Sequence, residues 1–273
     1  MLDKALGVAP DVYVPDLEDS VPDNEKDNAR KVVTEHLEKL HRSQRMVVPR
    51  INALETDLAE EDLIALMGLH IHGISIGKIR SVEDIRVVDD LVTQLEIAKG
   101  LRSGAIKLFP WIETALSIVH CYDILTASAR IVGAGFGAED LTHDMDIERS
   151  DDPLQLAYAR SAFCFAARAA GVLALDTPYF HFKDPAGLEQ DALNAKRLGF
   201  KGKFAIHPSQ IETINVCFAP SADEIDYAKR VVAAYKEAER NGRGSTSLDG
   251  KVIDVPVVKR ARALLALAET MSS

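Results

Sequence analysis

Two rhythms of apolar residues alternate along this chain. Short runs rich in β-branched and aromatic residues occur at 11–18, 46–52, 73–79, 106–113, 130–137, 172–179 and 202–207. Each is followed by a longer segment whose apolar positions recur every three or four residues, as Val32, Val33, Leu37 and Leu40 do within 23–40. The short runs read as buried strands and the periodic segments as amphipathic helices. Start and stop signals mark the joins. Ser81 is an N-cap for 82–99 and Thr114 for 115–127. Asp151-Asp152-Pro153 opens 154–170, which Gly171 closes, and Asp184-Pro185 opens the segment that ends at Gly199. Strands alternating with helices build a parallel sheet, so the expected fold is α/β, a TIM-type (β/α)₈ barrel. Such a barrel needs eight strands. Here seven follow an opening helix at 1–7, so the first strand is expected to be missing. An open slot would expose two unpaired strand edges, which favours a natural start upstream of Met1.

From residue 221 the pattern changes. A long charged helix at 223–240, the turn Asn241-Gly242-Arg243-Gly244, a hairpin-like stretch at 246–253 and a last helix at 257–269 are not needed to close a barrel. The division expected is a catalytic barrel at 1–220 and an appendage at 221–273, folding over its own mouth or reaching a neighbouring subunit.

Composition narrows the classes. With 273 residues and 47% hydrophobic content, one large domain with a substantial core is expected. A net charge of −10 without a basic run argues against a nucleic-acid partner. The apolar stretch 261–268 is too short to span a bilayer, and the start carries no basic region leading into an apolar core. Cys121, Cys164 and Cys217 are scattered through apolar helical segments, as reduced, inert thiols of a cytoplasmic protein would be.

In a barrel of this kind chemistry gathers at the strand C-terminal ends. Asp16-Leu17-Glu18-Asp19-Ser20-Val21 places three carboxylates within four positions there, more than the single cap a helix start requires. Arg50 ends an apolar strand; its planar fork suits a substrate carboxylate, or else an internal ion pair with those acids. Lys78 is a weaker case of the same kind. Glu113 and Asp140 end neighbouring strands, and two carboxylates completed by water and substrate oxygens suit Mg²⁺; both could instead cap the helices that follow. Spacing does not choose between Glu139 and Asp140. The small residues of Gly133-Ala134-Gly135-Phe136-Gly137 leave space for a ligand along their strand. His70 and His72 read as exposed loop histidines, His143, Asp144 and Asp146 as solvated surface, and His207 as a turn-fixing residue.

These motifs, in this order, resemble the citrate lyase beta-subunit-like group of the HpcH/HpaI aldolase superfamily, which includes malyl-CoA and citramalyl-CoA lyases. The likeness rests on Asp16–Val21, Arg50-Ile51-Asn52, Ile112-Glu113-Thr114, Gly137-Ala138-Glu139-Asp140-Leu141, Ala174-Leu175-Asp176-Thr177-Pro178-Tyr179, the run 202–210 and the run 248–254. The resemblance implies a Mg²⁺-dependent barrel, trimeric or hexameric, that makes or breaks a carbon–carbon bond beside a thioester. It implies that Glu113 and Asp140 hold the metal, that Arg50 binds the 2-oxo acid, and that the acids Asp16, Glu18 and Asp19 hold metal-bound water. Asp254 would enter a neighbour's active site as an acid–base group; read alone, it is an N-cap before the last helix. Two features depart from the family: its first strand, bearing Arg-Ser, is absent, and Gly77 stands where proline usually precedes the lysine.

The reaction so implied is cleavage of a 3-hydroxy-3-carboxyacyl-CoA to an acyl-CoA and a 2-oxo acid. Rival readings are a malyl-CoA thioesterase, a CoA-free 2-oxo acid aldolase, and a non-catalytic acyl-binding subunit of a citrate lyase-type complex.

Overall fold

The computed structural model describes residues 2–68, 70–150 and 152–272. Strand and helix alternate as the apolar rhythm requires. After α1 (Leu2–Ala5) come β1 (Val12–Tyr13), α2 (Lys26–Arg42), β2 (Met46–Val47), β3 (Arg50–Ile51), α3 (Leu58–Leu66), β4 (Gly73–Ile76) and α4 (Val82–Ala98). They are followed by β5 (Lys107–Ile112), α5 (Ala115–Val119), α6 (Cys121–Thr126), β6 (Gly133–Phe136), α7 (Ala138–Asp144), α8 (Ala157–Ala170), β7 (Leu173–Asp176), α9 (Pro185–Leu198) and β8 (Gly202–Lys203). All seven strand runs are present. The second is split into β2 and β3 at Pro49, which has no N–H to give to a ladder.

Strands β3 to β8 form one parallel sheet in sequence order, the arrangement of a TIM-barrel-like α/β fold. The β1 segment joins the same succession: β1 pairs with β2, and Asp16 bridges to Arg50. Among the described residues β1 and β8 share no ladder, so hydrogen bonding does not close the ring.

The helices follow their caps. Ser81 accepts from the Asp84 N–H in a capping box that starts α4, and Thr114 does the same with Ser117 for α5. The expected helix 115–127 is interrupted at His120, giving α5 and α6. The helix expected from residue 154 begins only at Ala157, and it ends at Gly171 with φ 75°, a left-handed conformation that only glycine adopts without cost; Asp151 lies outside the described residues. Two buried ion networks tie strands to helices. Arg130 is gripped by Asp89 at 2.5 Å and by fully buried Glu96 at 2.8 Å. Asp176 accepts from Lys203 at 2.6 Å and Arg160 at 2.8 Å. The shared Asp176 and Thr177 motif thus serves the seam between β7 and β8.

The chain divides into two compact units at Ile214 and Asn215, within α10 (Ile211–Phe218). The second unit comprises α11 (Ala222–Arg240), an antiparallel hairpin of β9 (Thr246–Leu248) and β10 (Lys251–Ile253), and α12 (Val255–Ser272). Its own core joins Ala228, Val231 and Tyr235 to Ile253, Val258 and Ala261. Cys121, Cys164 and Cys217 are all buried, and burial pushes the Cys121 and Cys164 thiols up to about 12. No helix among the described residues is long and apolar enough to cross a membrane.

Candidate functional site

Side chains alternate across a strand, so β5 and its continuation send Phe109, Trp111 and Glu113 to one face. Each meets small neighbours on the flanking strands. A Cβ at Gly73 or Gly133 would lie 3.0 Å from the Phe109 ring, and one at Gly135 would lie 2.8 Å from the indole of Trp111. A Cβ at Gly77 would lie 3.0 Å from the Glu113 carboxylate, and one at Gly137 only 2.5 Å from the Glu113 Cβ. Residues 73, 75 and 77 on one side and 133, 135 and 137 on the other therefore bracket three large side chains in successive layers. The glycines of β6 do not leave a slot for a ligand along the strand, as the sequence suggested. The side chains of β5 already fill that space.

Glu113 is the uppermost of the three layers and is 2% exposed. One carboxylate oxygen accepts the backbone N–H of Lys78 at 2.5 Å. Lys78 holds φ 57°, a left-handed conformation costly for a side-chain-bearing residue and of the kind concentrated at functional sites. This turn aims the Lys78 N–H at Glu113, while its ammonium reaches Asp19 at 3.0 Å and Glu18 at 3.5 Å.

Arg50 meets the acids of the first run. Its Nε and Nη2 donate to the two oxygens of Asp16 at 2.7 and 2.5 Å, a bidentate pair, and Nη1 lies 2.9 Å from Glu18 and 3.5 Å from Asp19. The internal ion pair is thus made here through the Nε–Nη2 edge of the guanidinium, which Asp16 occupies. Asp16 also accepts from the Glu18 N–H, the Ser20 N–H and the Ser20 hydroxyl, so it is saturated and acts as an anchor. Lys26, buried, ties down the turn by donating to the carbonyls of Leu17 and Glu18 at 2.9 and 2.8 Å. Neither Asp19 nor Ser20 caps the helix that follows.

Glu18, read in the sequence only as one of three clustered acids, is the one of them that the fold buries. It is 3% exposed, and despite the ion-pair distance to Arg50 neither oxygen receives a well-aligned hydrogen bond. Burial, opposed by Arg50 and assisted by the Asp19 charge, pushes its carboxyl up to about 7. Glu113 is raised in the same sense, first by burial and then by the charge of Asp140, with a smaller part from Glu18. Burial would also raise Asp16, but the hydrogen bonds and charge of Arg50 outweigh it and hold Asp16 below the usual carboxylate range. Lys78 is raised; burial opposes this, and Asp19, Glu18 and Asp140 prevail.

Glu113 and Asp140 therefore share one electrostatic locality with Glu18, Lys78 and Arg50. Asp140 is half-buried at the first turn of α7, whereas Glu139 is exposed and pairs with Arg149 at 3.3 Å, which separates the two acids that spacing could not. Five carboxylates face two cations here. An excess of buried negative charge, an orphaned carboxylate and oxygen-only donors are what a hard divalent cation relieves. Among the described residues no three histidine, cysteine or acidic side chains form a ready-made metal cage, so ligand oxygens from outside the chain would complete any such site.

The remaining sequence expectations fall elsewhere. Asp254 belongs to the second unit, where its carboxylate accepts the Val257 N–H at 3.2 Å and caps α12. His207 Nδ1 accepts the Ser209 N–H and fixes its turn. His70 is exposed, but His72 is half-buried and accepts the Val47 N–H at 3.0 Å, a strand-fastening role in place of the expected loop histidine. His143, Asp144 and Asp146 are exposed, as expected of solvated surface.

The family model of HpcH/HpaI aldolase/citrate lyase matches residues 1–208. The chain belongs to the HpcH/HpaI aldolase/citrate lyase family. It is 36% identical to the citrate lyase subunit beta of Haemophilus influenzae over 270 residues, covering 99% of this chain and 93% of that protein. It is 34% identical to a (3S)-malyl-CoA thioesterase of Cereibacter sphaeroides over 272 residues, covering 100% of this chain and 91% of that protein. Among solved structures, CitE from Mycobacterium tuberculosis in complex with magnesium, acetoacetate and coenzyme A superposes with a TM-score of 0.81 at 30% identity. That superposition covers 98% of this chain and 92% of CitE. Members of the family are thus lyases and a thioesterase, and magnesium is bound within it.

Proposed function

We propose that the chain is a Mg²⁺-dependent carbon–carbon lyase that cleaves a 3-hydroxy-3-carboxyacyl-CoA of the malyl-CoA or citramalyl-CoA type to an acyl-CoA and a 2-oxo acid. The observation that carries the reading is the convergence of Glu113 and Asp140 in one acid-rich locality beside Arg50. Glu113 and Asp140 would hold the ion. When bound, Mg²⁺ supplies charge neutralisation at the substrate's hydroxyl and carboxylate oxygens and lowers the hydroxyl pKa. Asp16 fixes the guanidinium of Arg50 through its Nε–Nη2 edge, and the Nη1 side would align the substrate carboxylate. Asp19 would order water at the metal while Asp16 keeps Arg50 in place, and Lys78 would face the substrate's acidic end. Asp254 is the proposed base for the hydroxyl proton, supplied across a subunit contact of a cytoplasmic trimer or hexamer. As that proton leaves, the bond between the carbinol and α carbons breaks. The oxo acid carbonyl forms, and the acyl-CoA enolate takes up a proton at its α carbon.

The second reading is thioester hydrolysis, favoured by the (3S)-malyl-CoA thioesterase relative. Incubating the full chain and Mg²⁺ with malyl-CoA or citramalyl-CoA separates the two. A 2-oxo acid with the thioester intact supports the lyase. Free CoA thiol without a 2-oxo acid supports the thioesterase. No turnover, with a melting temperature indifferent to EDTA, supports a non-catalytic acyl-binding subunit. Asp254→Asn should lower turnover at least about tenfold with melting unchanged, because asparagine caps a helix as well as aspartate. Unchanged turnover would remove Asp254 from the mechanism.

A further inference from the structure

The layer of the barrel interior directly beneath the acid cluster is aromatic. Trp111, 7% exposed, donates its Nε1–H to Ser75 Oγ at 2.8 Å and stacks on Phe204 with ring centroids 4.3 Å apart. Gly135 backs both rings: a Cβ there would come within 2.8 Å of the indole and 3.1 Å of Phe204. The guanidinium carbon of Arg50 lies over the indole, 5.7 Å from its centroid. Glu113, two residues on along the same strand face, occupies the layer above. The indole is thus tied by a hydrogen bond, a stacking partner and a strand backbone, and it separates the acid cluster from the interior below.

We propose that Trp111, braced by Phe204, is the specificity-determining floor of this site: it admits a 2-oxo acid whose carbonyl carbon bears hydrogen or a methyl group and turns away one bearing a carboxymethyl group. The inference rests on the reading of the site as a 2-oxo acid site. It assigns to Trp111 the preference of that site for glyoxylate- and pyruvate-type acids over oxaloacetate-type acids.

Shape and charge both carry it. A substituent on a carbonyl carbon held between Arg50 and Glu113 meets the indole, which has no free direction of retreat because Gly135, Ser75 and Phe204 hold it. A hydrogen or methyl group needs little room there; a longer group has to displace a packed ring. A second carboxylate fares worse. It would face the electron-rich surface of the indole beside the carboxylates of Glu18 and Glu113, which repel it. A carboxylate buried without a partner is strongly disfavoured.

Trp111 is the single tryptophan of the chain, so its fluorescence reports directly on the floor. The full chain with Mg²⁺ is titrated with glyoxylate, pyruvate, 2-oxobutyrate and oxaloacetate, following Trp111 emission in the wild type and calorimetric heat in Trp111→Phe and Phe204→Leu. Glyoxylate or pyruvate should perturb the emission and bind at least about tenfold more tightly than 2-oxobutyrate or oxaloacetate. In whichever variant retains the wild-type circular dichroism, the preference for pyruvate over 2-oxobutyrate should shrink at least about fivefold. Oxaloacetate binding as tightly as pyruvate in the wild type overturns the inference, as does an unchanged preference in a folded variant. If no 2-oxo acid binds the wild type, the underlying reading fails with it. If pyruvate binds and the preference does not move, only the floor is lost.

Discussion

Replacing Gly137 by alanine adds one methyl group at the most crowded point of the site. The backbone there, φ −98° and ψ 99°, is open to any residue, so conformational strain is not involved. By stiffening the unfolded chain, alanine would even stabilise the protein by about 0.4–1 kcal/mol. The opposing contact is with Glu113: the new Cβ would lie 2.5 Å from the Glu113 Cβ, where ordinary contacts begin near 3.4 Å. A Cβ belongs to the strand and cannot swing aside as a side-chain end can. Overpacking of this kind costs about 1–3 kcal/mol, and its upper end applies here, leaving a net loss of about 2 kcal/mol. For a chain of this size that lowers the melting temperature by about 4–8 °C. Gly133→Ala is the control. It meets the Phe109 ring at 3.0 and 3.1 Å, and a ring can tilt, so its melting temperature should stay within about 2 °C of wild type. Calorimetric melts with and without MgCl₂ read both effects, and Gly137→Ala should also lose the stabilisation conferred by Mg²⁺, because Glu113 has been pushed aside. A Gly137→Ala protein that melts no lower than Gly133→Ala would refute the layered interior described for β4, β5 and β6.

Arg130→Met leaves Glu96, fully buried, without its cation and should cost about 3–5 kcal/mol in urea unfolding; a loss below about 1 kcal/mol would show that the pair is dispensable. The raised carboxyl of Glu18 sets a pH dependence. Its folded value near 7 lies above its ordinary 4.5, so the folded state binds the proton more tightly between those values. Stability from this group is therefore present at the acid end of that window and is lost as pH rises through about 7. Melting temperature in metal-free buffer should fall from pH 5 to pH 8, and Glu18→Gln should flatten the fall; an unchanged slope in the variant would place the titration elsewhere. Asp16, held low by Arg50, contributes in the opposite sense and only at more acid pH, so the two effects do not overlap.

Much of the fold was legible because its signals are local. Ser81 and Thr114 cap the helices expected of them, and Gly171 stops α8, since each acts on backbone within a few residues. The carboxylate-rich run, Arg50, Lys78, Glu113 and Asp140 were legible as strand-end residues because a parallel sheet with helical crossovers brings all strand C-termini to one side. What each does there was less legible. Glycines 133, 135 and 137 looked like space for a ligand, yet they accommodate Phe109, Trp111 and Glu113. The clue lay in the sequence as the shared alternation of 73, 75, 77 with 109, 111, 113 and 133, 135, 137, but only a parallel register between β4, β5 and β6 turns that alternation into layers. Helix starts were misjudged where the signal was weak, as for α8, which opens later than its aspartates suggested.

The order of strands and helices, their capped ends and the list of charged residues at the strand ends were determined by the sequence alone, because period, turn chemistry and topology are properties of neighbouring residues. Tertiary structure alone decided the partners: that Arg50 is engaged by Asp16, that Glu18 is buried without a hydrogen bond, and that Asp140 rather than Glu139 adds its charge to Glu113. The physical reason is that charge interaction depends on distance and burial, and residues far apart in the chain acquire both only when the strands pair.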